Sequence, residues 1–164
     1  MKSTNKTTQA CGAQALSKII QNADGDVLAE TMDQSMDEII RCLKSHQFRA
    51  HSALLESLIA IIFHVEEEFE PFVDRFIPVL LELIGHEDWN TKKVAIDSFN
   101  SLATTIPEKM IPFRVDILQA LKPSRTHKVK PVREAALFTI KLLKETNPPL
   151  NEHELAILDD HPPR

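Results

Sequence analysis

The sequence has 164 residues, of which 43% are hydrophobic and 26% charged, so the chain can bury a continuous core in one domain. A formal net charge of −5 argues against a general nucleic-acid binder, because duplex affinity comes mainly from Lys and Arg at the phosphates. The two cysteines stand far apart and no apolar run is long enough to cross a bilayer, which argues against a zinc site, a disulfide framework and a membrane protein and favours the reducing cytoplasm.

The composition also predicts an all-α fold. Three glycines and no tyrosine, with a surplus of Leu, Ile, Ala, Glu and Lys, favour helices over strands.

The first predicted helix runs from Thr8 to Asn22, where apolar residues recur at helical spacing. The residues that follow, Asp24-Gly25-Asp26, predict a turn. We interpret the first helix as an N-terminal cap on the repeats that come after it.

The chain repeats itself with a period of 41 residues. Each unit carries apolar columns at helical spacing in its first half and again in its second half. The first-half columns are Met36, Ile77 and Leu118, then Ile39, Leu80 and Leu121. The second-half columns are Leu55, Ile96 and Leu137, then Leu58, Phe99 and Ile140, then Ile61, Leu102 and Leu143. A period of about 40 with two amphipathic helices is typical of HEAT and armadillo arrays, so we predict a right-handed α-solenoid of about three HEAT-type helical hairpins.

Glycine and proline fall where the predicted helices must end, begin or bend. Gly85 is predicted to end a first helix and Pro131 to begin a second helix, while Pro78 and Pro112 are predicted to bend first helices. Pro107 and the Asn147-Pro148-Pro149 stretch follow second helices. We expect one domain over residues 1–150, with residues 151–164 as a capping helix or a frayed tail that is helical from Glu152 to Leu158.

The sequence contains no convincing catalytic, metal or cofactor motif. His64 and His153 are each followed closely by Glu, but neither has the second His four residues on that a zinc site on one helix face needs. The stretch from Asn22 to Asp26 begins like a calcium loop, but its glycine comes too early, and helix capping is the stronger interpretation. We therefore predict that the protein is not an enzyme and has no cofactor.

Aromatic and basic residues gather in the turns between first and second helices. These turn residues are His46, Gln47, Phe48, Arg49 and His51, then Trp89, Asn90, Lys92 and Lys93, then Arg125, Lys128, Lys130 and Arg133. In a solenoid such turns line up along one edge, where an aromatic beside cations suits an acidic protein partner. The alternative is structural: Trp89 covers its own hairpin, and the basic residues stabilise neighbouring repeats. The residues alone leave both interpretations open.

The stretches Glu87–Ala95 and His127–Ala135 resemble the TOG-type HEAT repeats of microtubule proteins, most closely those of the plant Tortifolia and Spiral group. In that group a W-x-x-[RK]-[KR]-x-A turn is followed one repeat later by D-K-x-K-P-V-R. This chain has the Trp89 turn and then Lys128-Val129-Lys130-Pro131-Val132-Arg133, with His127 where the acidic residue would stand. The likeness covers residues 72–144.

The resemblance implies binding to tubulin or microtubules through these turns. By position it carries over Trp89, Lys92, Lys128, Lys130 and Arg133 as contact residues, and Lys93 belongs to the same turn. Phe48 and Arg49 follow only by repeat equivalence. The expected location is the cytoplasm and its cytoskeleton, with a cilium or axoneme left open.

A second interpretation is a general HEAT or armadillo scaffold that docks a peptide or helix on its concave second-helix face, for which Asn100 is a slight indication. Other cytoskeletal or ciliary proteins are further candidate partners. Neither nucleic acid nor membrane is expected as a partner. Self-association stays open, because a short solenoid exposes apolar end faces unless they are capped.

Overall fold

The computed structural model describes residues 5–23 and 25–159, excluding the side chains of residues 25–30. The backbone of these residues forms helices and no strand, which confirms the predicted all-α class. The chain divides into two compact units, an N-terminal unit (Met1–Val79) and a C-terminal unit (Leu80–Arg164). The hand of the predicted solenoid and the number of its repeats stay predictions.

The N-terminal unit is built from helices joined by short connections. These are α1 (Lys6–Gln21), α2 (Gly25–Leu43), α3 (His51–Val65), a 3₁₀ segment (Glu66–Phe72) and the first half of α4 (Val73–Ile84). The predicted N-terminal helix is α1, which packs against α3. The side chain of Asn5 caps α1 by accepting a hydrogen bond of 2.9 Å from the backbone N–H of Thr7.

The predicted turn at residues 24–26 differs from what the structure has there. Asp24 lies outside the described residues, whereas Gly25 and Asp26 already belong to α2. The predicted turn was therefore wrong at Gly25 and Asp26. The physical reason is that the first four N–H groups of a helix need no intrahelical partner, so its first turn tolerates residues that otherwise favour turns.

The core of the N-terminal unit follows the predicted columns. Met36 and Ile39 of α2 are fully buried, as are Leu55, Leu58 and Ile61 of α3. Each such side chain contributes about 1.5–3 kcal/mol by leaving water. A buried aromatic pair extends this core, because the rings of Phe69 and Phe76 lie with their centroids 5.4 Å apart.

The C-terminal unit begins in the second half of α4 and, as far as residue 159, continues through five further helices. These are α5 (Trp89–Thr105), α6 (Pro107–Met110), α7 (Arg114–Leu121), α8 (Lys130–Glu145) and α9 (Glu152–Leu158), with 3₁₀ segments at Ile111–Phe113 and Lys122–Thr126. Helices α5 and α8 pack side by side over most of their length. That arrangement is how successive hairpins stack in an α-solenoid.

The predicted columns are buried in this unit with one exception. Ile96, Phe99 and Leu102 of α5 are fully buried, and so is Leu143 of α8. Leu137 was placed in the same core column but is 51% exposed. Its position on α8 faces away from the packed side of that helix, so the repeat pattern alone misplaced it.

Gly85 and Pro131 stand where the sequence predicted, whereas Pro112 acts differently from the prediction. Gly85 directly follows α4, and a Cβ there would lie 3.2 Å from the Glu82 carbonyl oxygen, closer than side chains usually approach. Pro131 stands in the first turn of α8, where no intrahelical N–H is needed. Pro112 lies in the 3₁₀ segment that separates α6 from α7, so it breaks the predicted first helix of this hairpin rather than bending it.

Helix α9 occupies the predicted residues and is held by buried charges. The guanidinium of Arg114 on α7 donates to both carboxylate oxygens of Glu154, at 2.9 and 3.1 Å, and both side chains are only 4% exposed. Asn151 completes a capping box with Glu154 at the start of the helix. At its other end, Lys122 Nζ donates to the Asp159 carbonyl at 2.9 Å and Arg125 to the Leu158 carbonyl at 2.8 Å. The segment is therefore docked as far as Asp159.

Candidate partner-binding turns

Three turns of the chain begin with the same backbone hydrogen bond, and they recur at the 41-residue period. In each, one backbone N–H donates to the carbonyl three residues earlier. The pairs are Ser45 to Cys42 (3.1 Å), His86 to Leu83 (3.1 Å) and His127 to Ser124 (3.3 Å). We name these turns turn 1 (residues 44–50), turn 2 (85–88) and turn 3 (127–129). Turn 1 lies in the N-terminal unit, and turns 2 and 3 lie in the C-terminal unit.

The side chains of the same three residues close the turns in one common way. Each accepts a hydrogen bond from the backbone N–H two residues later: Ser45 Oγ from Gln47 (3.3 Å), His86 Nδ1 from Asp88 (3.0 Å) and His127 Nδ1 from Val129 (3.1 Å). An aspartate accepts the same bond in a turn of this kind. The geometry thus explains how His127 can stand where the TOG-like pattern has an acidic residue, provided that the ring carries its proton on Nε2.

Sequence reasoning had missed His86 altogether. The signal was present, because His86 and His127 stand one period of 41 residues apart. A histidine that recurs at the repeat length, just before a second helix, is a turn-closing acceptor in both places.

Turn 2 presents Trp89 through the cap of α5. Asp88 is the N-cap, and its Oδ2 accepts hydrogen bonds from the backbone N–H of Thr91 at 2.9 Å and from the Thr91 hydroxyl at 2.7 Å. Burial tends to raise the pKa of Asp88, but these hydrogen bonds outweigh it and hold that pKa below its ordinary value. Trp89 is the first residue of the helix and is 45% exposed.

The two lysines that follow Trp89 have different surroundings. Lys92 is half-buried near the start of α5. Lys93 Nζ lies 2.6 Å from Asp97 Oδ2, one helical turn further along. The charge of Lys93 is therefore already balanced on its own helix, which makes Lys93 a weaker contact candidate than Lys92.

Turn 3 contributes two exposed cations and a residue that holds the turn. Lys128 and Lys130 are exposed, and Lys130 Nζ stands 3.4 Å from Glu134 Oε1. Arg133 donates from one nitrogen, Nη1, to the carbonyls of His127 at 2.7 Å and Lys128 at 3.1 Å. Arg133 thus fixes the backbone that presents Lys128.

Turns 2 and 3 are neighbours in the C-terminal unit. Helices α5 and α8 pack side by side, and Lys93 and Pro131, from their first turns, line one surface groove. The exposed residues that begin these helices or precede them therefore share one side of the unit. We call this side, formed by exposed Trp89, Lys128 and Lys130 with half-buried Lys92, the basic edge. Glu87 and Asp88 are exposed in turn 2 beside it.

Turn 1 does not present its aromatic residue in this way. The period would start α3 at residue 48, but α3 begins at His51. Phe48 instead folds inward, is 4% exposed, and meets the His51 ring edge-on at a centroid distance of 5.4 Å. Arg49 is exposed, while its backbone N–H donates to Gln9 Oε1 at 2.8 Å. Phe48 is thus a core residue that a partner does not reach, and we leave it out of the candidate contacts.

Residues 5–23 and 25–159 hold no cluster of three or more His, Cys, Asp or Glu side chains that could bind a metal ion. Among the same residues, no helix combines the length and the apolar character that a membrane crossing needs.

Comparison with known proteins gives a consistent family match. The model of the family described as TORTIFOLIA1 N-terminal matches residues 1–145. TORTIFOLIA1-like protein 4 of Arabidopsis thaliana is 32% identical over 126 residues, which is 77% of this chain and 20% of that protein. TORTIFOLIA1-like proteins 5 and 2 of the same plant are 27% and 23% identical over 140 residues. The chain spans between 17% and 28% of the length of these three relatives.

Proposed function

Because the chain belongs to the TORTIFOLIA1 N-terminal family, we propose that it is a non-catalytic module that binds microtubules or tubulin through the basic edge. One observation carries this proposal: a 45% exposed indole begins α5, exposed lysines stand at the start of α8, and these two helices pack side by side on a chain with a net charge of −5. A local excess of cations around an aromatic on an acidic protein suits an acidic protein surface.

Each residue of the edge has its own role in the proposed contact. Trp89 is the anchor that becomes buried against tubulin. Lys92, Lys128 and Lys130 pair with acidic side chains of the partner. Arg133 and Lys93 support the edge and are not direct contacts, since Arg133 is hydrogen-bonded to turn 3 and Lys93 is paired with Asp97. Arg49 is a separate and weaker candidate in the N-terminal unit.

The module is proposed to act by binding alone. Its sequence carries no phosphate-binding loop or catalytic motif, and the edge is formed by an aromatic and lysines without an acid–base pair. A cytoskeletal location in the cytoplasm follows from the proposed partner. Imaging of a fluorescently labelled chain decides between the two locations that the sequence left open. The proposal expects the label on cytoplasmic microtubule arrays and not on cilia.

Co-sedimentation with stabilised microtubules across a salt series tests the proposal. Wild type should pellet, and the pelleted fraction should fall as salt rises because exposed charge pairs are screened. Trp89→Ala should weaken binding by about 2 kcal/mol, roughly 30-fold, as expected for a central aromatic anchor. Lys130→Glu should also weaken binding, and the variant that carries both Trp89→Ala and Lys130→Glu should not pellet.

The chain supplies matched controls for both substitutions. Leu155 is as exposed as Trp89, so Leu155→Ala removes a similar fraction of apolar surface from α9. Lys141 is as exposed as Lys130 and pairs with Glu145 as Lys130 pairs with Glu134, so Lys141→Glu makes the same charge change further along α8. Both controls should pellet like wild type. An equal loss of pelleting in Lys130→Glu and Lys141→Glu would show that the net charge of the chain, and not the basic edge, governs binding.

Gel filtration with soluble tubulin distinguishes the dimer from the lattice as the partner. Co-elution would extend the proposal to soluble tubulin. Binding to neither form by a folded wild-type chain would contradict the proposal.

A further inference from the structure

A second feature of the C-terminal unit adjoins the basic edge. It is a groove of about 270 Å³ between α5 and α8. Its lining residues are Lys93, Asp97 and Asn100 from α5 and Pro131, Glu134, Ala135 and Phe138 from α8. Both walls come from regular helices of one compact unit, so their side chains are held on a rigid frame.

The groove is rich in hydrogen-bond acceptors. Asp97 and Glu134 supply carboxylates, and Asn100 supplies an amide oxygen. That oxygen, Asn100 Oδ1, is buried and accepts no hydrogen bond from any part of the chain that the structure describes. Rotation about χ2 of an asparagine is soft and exchanges its oxygen and nitrogen, so a donor bound in the groove would satisfy the oxygen.

The groove also offers an aromatic face that the fold leaves uncovered. Phe138 is 57% exposed and stands one helical turn beyond Glu134 on α8. Residues four apart on a helix are neighbours on its surface, so the ring and the carboxylate act on the same ligand group. A cation over the ring is attracted by its π-electrons and pairs with the carboxylate beside it.

We propose that this groove binds the guanidinium of an arginine in a basic segment of a partner protein. Arginine fits because its flat group stacks on an aromatic ring and presents five donors in a fixed fork, whereas lysine offers a compact, strongly hydrated charge. The partner's backbone N–H groups satisfy Asn100, while Asp97 keeps its pair with Lys93. This partner differs in charge from the acidic surface proposed for the basic edge, and the Lys130–Glu134 ion pair is the contact that the two sites share.

The ion pairs already present do not close the groove. Lys93 pairs with Asp97 and Lys130 pairs with Glu134, but both pairs join neighbouring turns of one helix and are solvent-accessible. The Lys130–Glu134 pair is the more exposed of the two, and such a pair is weak and readily exchanged for a bidentate partner of Glu134. The charge of Lys93 is balanced by Asp97 at 2.6 Å, so it opposes the incoming guanidinium only weakly.

The test is a nuclear magnetic resonance titration of the isotope-labelled chain with three blocked tripeptides, acetyl-Gly-X-Gly-amide, in which X is arginine, lysine or citrulline. Citrulline keeps the shape of arginine and removes its charge. We expect saturable shifts at the Asn100 side-chain amide and around Phe138, with arginine binding at least five-fold more tightly than either analogue. Equal affinities, shifts centred on turns 2 and 3, or no saturable shift at about 10 mM peptide would overturn the proposal.

Matched variants separate the groove from its surroundings. Glu134→Gln and Phe138→Ala should each weaken arginine binding at least three-fold. Glu145→Gln removes an equally exposed, lysine-paired carboxylate from the same helix, and Leu155→Ala removes an exposed apolar side chain elsewhere, so neither should change it. Equal weakening by the variants and their controls would contradict the assignment.

Two further readouts keep this inference distinct from the microtubule proposal. Trp89→Ala should leave the peptide titration unchanged, because Trp89 does not line the groove. Phe138→Ala should in turn leave wild-type pelleting with microtubules, because Phe138 is not part of the basic edge. Shifts of the groove residues that grow with chain concentration in the absence of peptide would assign the groove to a second copy of the chain and overturn the partner-protein assignment.

Discussion

At the scale of single residues, the turns are controlled by acceptors that stand just before a second helix. Asp88 caps α5 and His127 closes turn 3, each with one main hydrogen-bonding role. Such residues carry little of the core, yet they fix the backbone on which exposed Trp89 and Lys128 stand. Their substitution therefore tests turn geometry without opening the core.

Asp88→Ala should reduce the free energy of unfolding by about 1 kcal/mol at pH 7, because it removes the N-cap of α5. The pKa of Asp88 is held below its ordinary value of 3.8, so the stability that its carboxylate contributes is present above that value and is lost as the pH falls through the lower, folded-state pKa. Urea unfolding at pH 7 and in acid measures this. The gap between wild type and variant should shrink in acid, and a gap that is constant with pH would contradict the assignment.

His127→Leu should reduce the free energy of unfolding by about 1 kcal/mol, since the Val129 N–H loses its acceptor. His127→Asn keeps an acceptor at that place and should stay within about 0.5 kcal/mol of wild type. Thermal unfolding followed by circular dichroism compares the two. Equal destabilisation by both substitutions would mean that ring packing, not the Nδ1 hydrogen bond, makes His127 important.

At the scale of elements, the periodic pattern predicted the buried helix faces well, because burial of one helix face requires apolar residues at fixed spacing. It misplaced particular residues where local packing differs between repeats. Phe48 is aligned with Trp89 by the period, but turn 1 is longer than turns 2 and 3, so Phe48 points into the core. Leu137 fits the same apolar column as Ile96 and is nevertheless half-exposed.

The candidate contacts were predictable only in part. Trp89, Lys128 and Lys130 lie on the surface as their turn positions suggested. The positions of Arg133 and Lys93 did not reveal that Arg133 donates to its own turn or that Lys93 pairs within its helix. Spacing places a residue near a turn, but its hydrogen-bond partners depend on backbone geometry that composition does not encode.

The element with the sharpest energetic prediction is α9. Glu154→Gln leaves the Arg114 guanidinium buried without its counter-charge, which should cost about 3–5 kcal/mol of unfolding free energy. Glu152→Gln, an exposed position in the first turn of the same helix, should cost far less. Replacing both partners, as in Arg114→Met with Glu154→Leu, should recover much of the loss. Denaturant unfolding of the four proteins checks this order, and a near-neutral Glu154→Gln would refute it.

At the scale of the whole molecule, a net charge of −5 opposes the approach of any acidic partner even where the basic edge attracts it. Glu67 and Glu68 are exposed acids of the 3₁₀ segment, and Glu67→Gln with Glu68→Gln removes two negative charges without touching the edge. Association with microtubules should become about two- to five-fold faster at low salt, with dissociation unchanged. Stopped-flow or single-molecule binding measures both rates. An increase in association rate that persists at high salt would not be electrostatic and would contradict this prediction.

The Arg114–Glu154 pair also bears on how this sequence can change over generations. The two residues are 40 positions apart, and a change at either one alone strands a buried charge. The family match ends at residue 145, so one member of the pair lies inside the matched stretch and the other outside it. Variation at the two positions should therefore be correlated: a relative with an apolar residue in place of Arg114 should also lack the carboxylate, and its lineage should have passed through few intermediates that carry only one of the two changes.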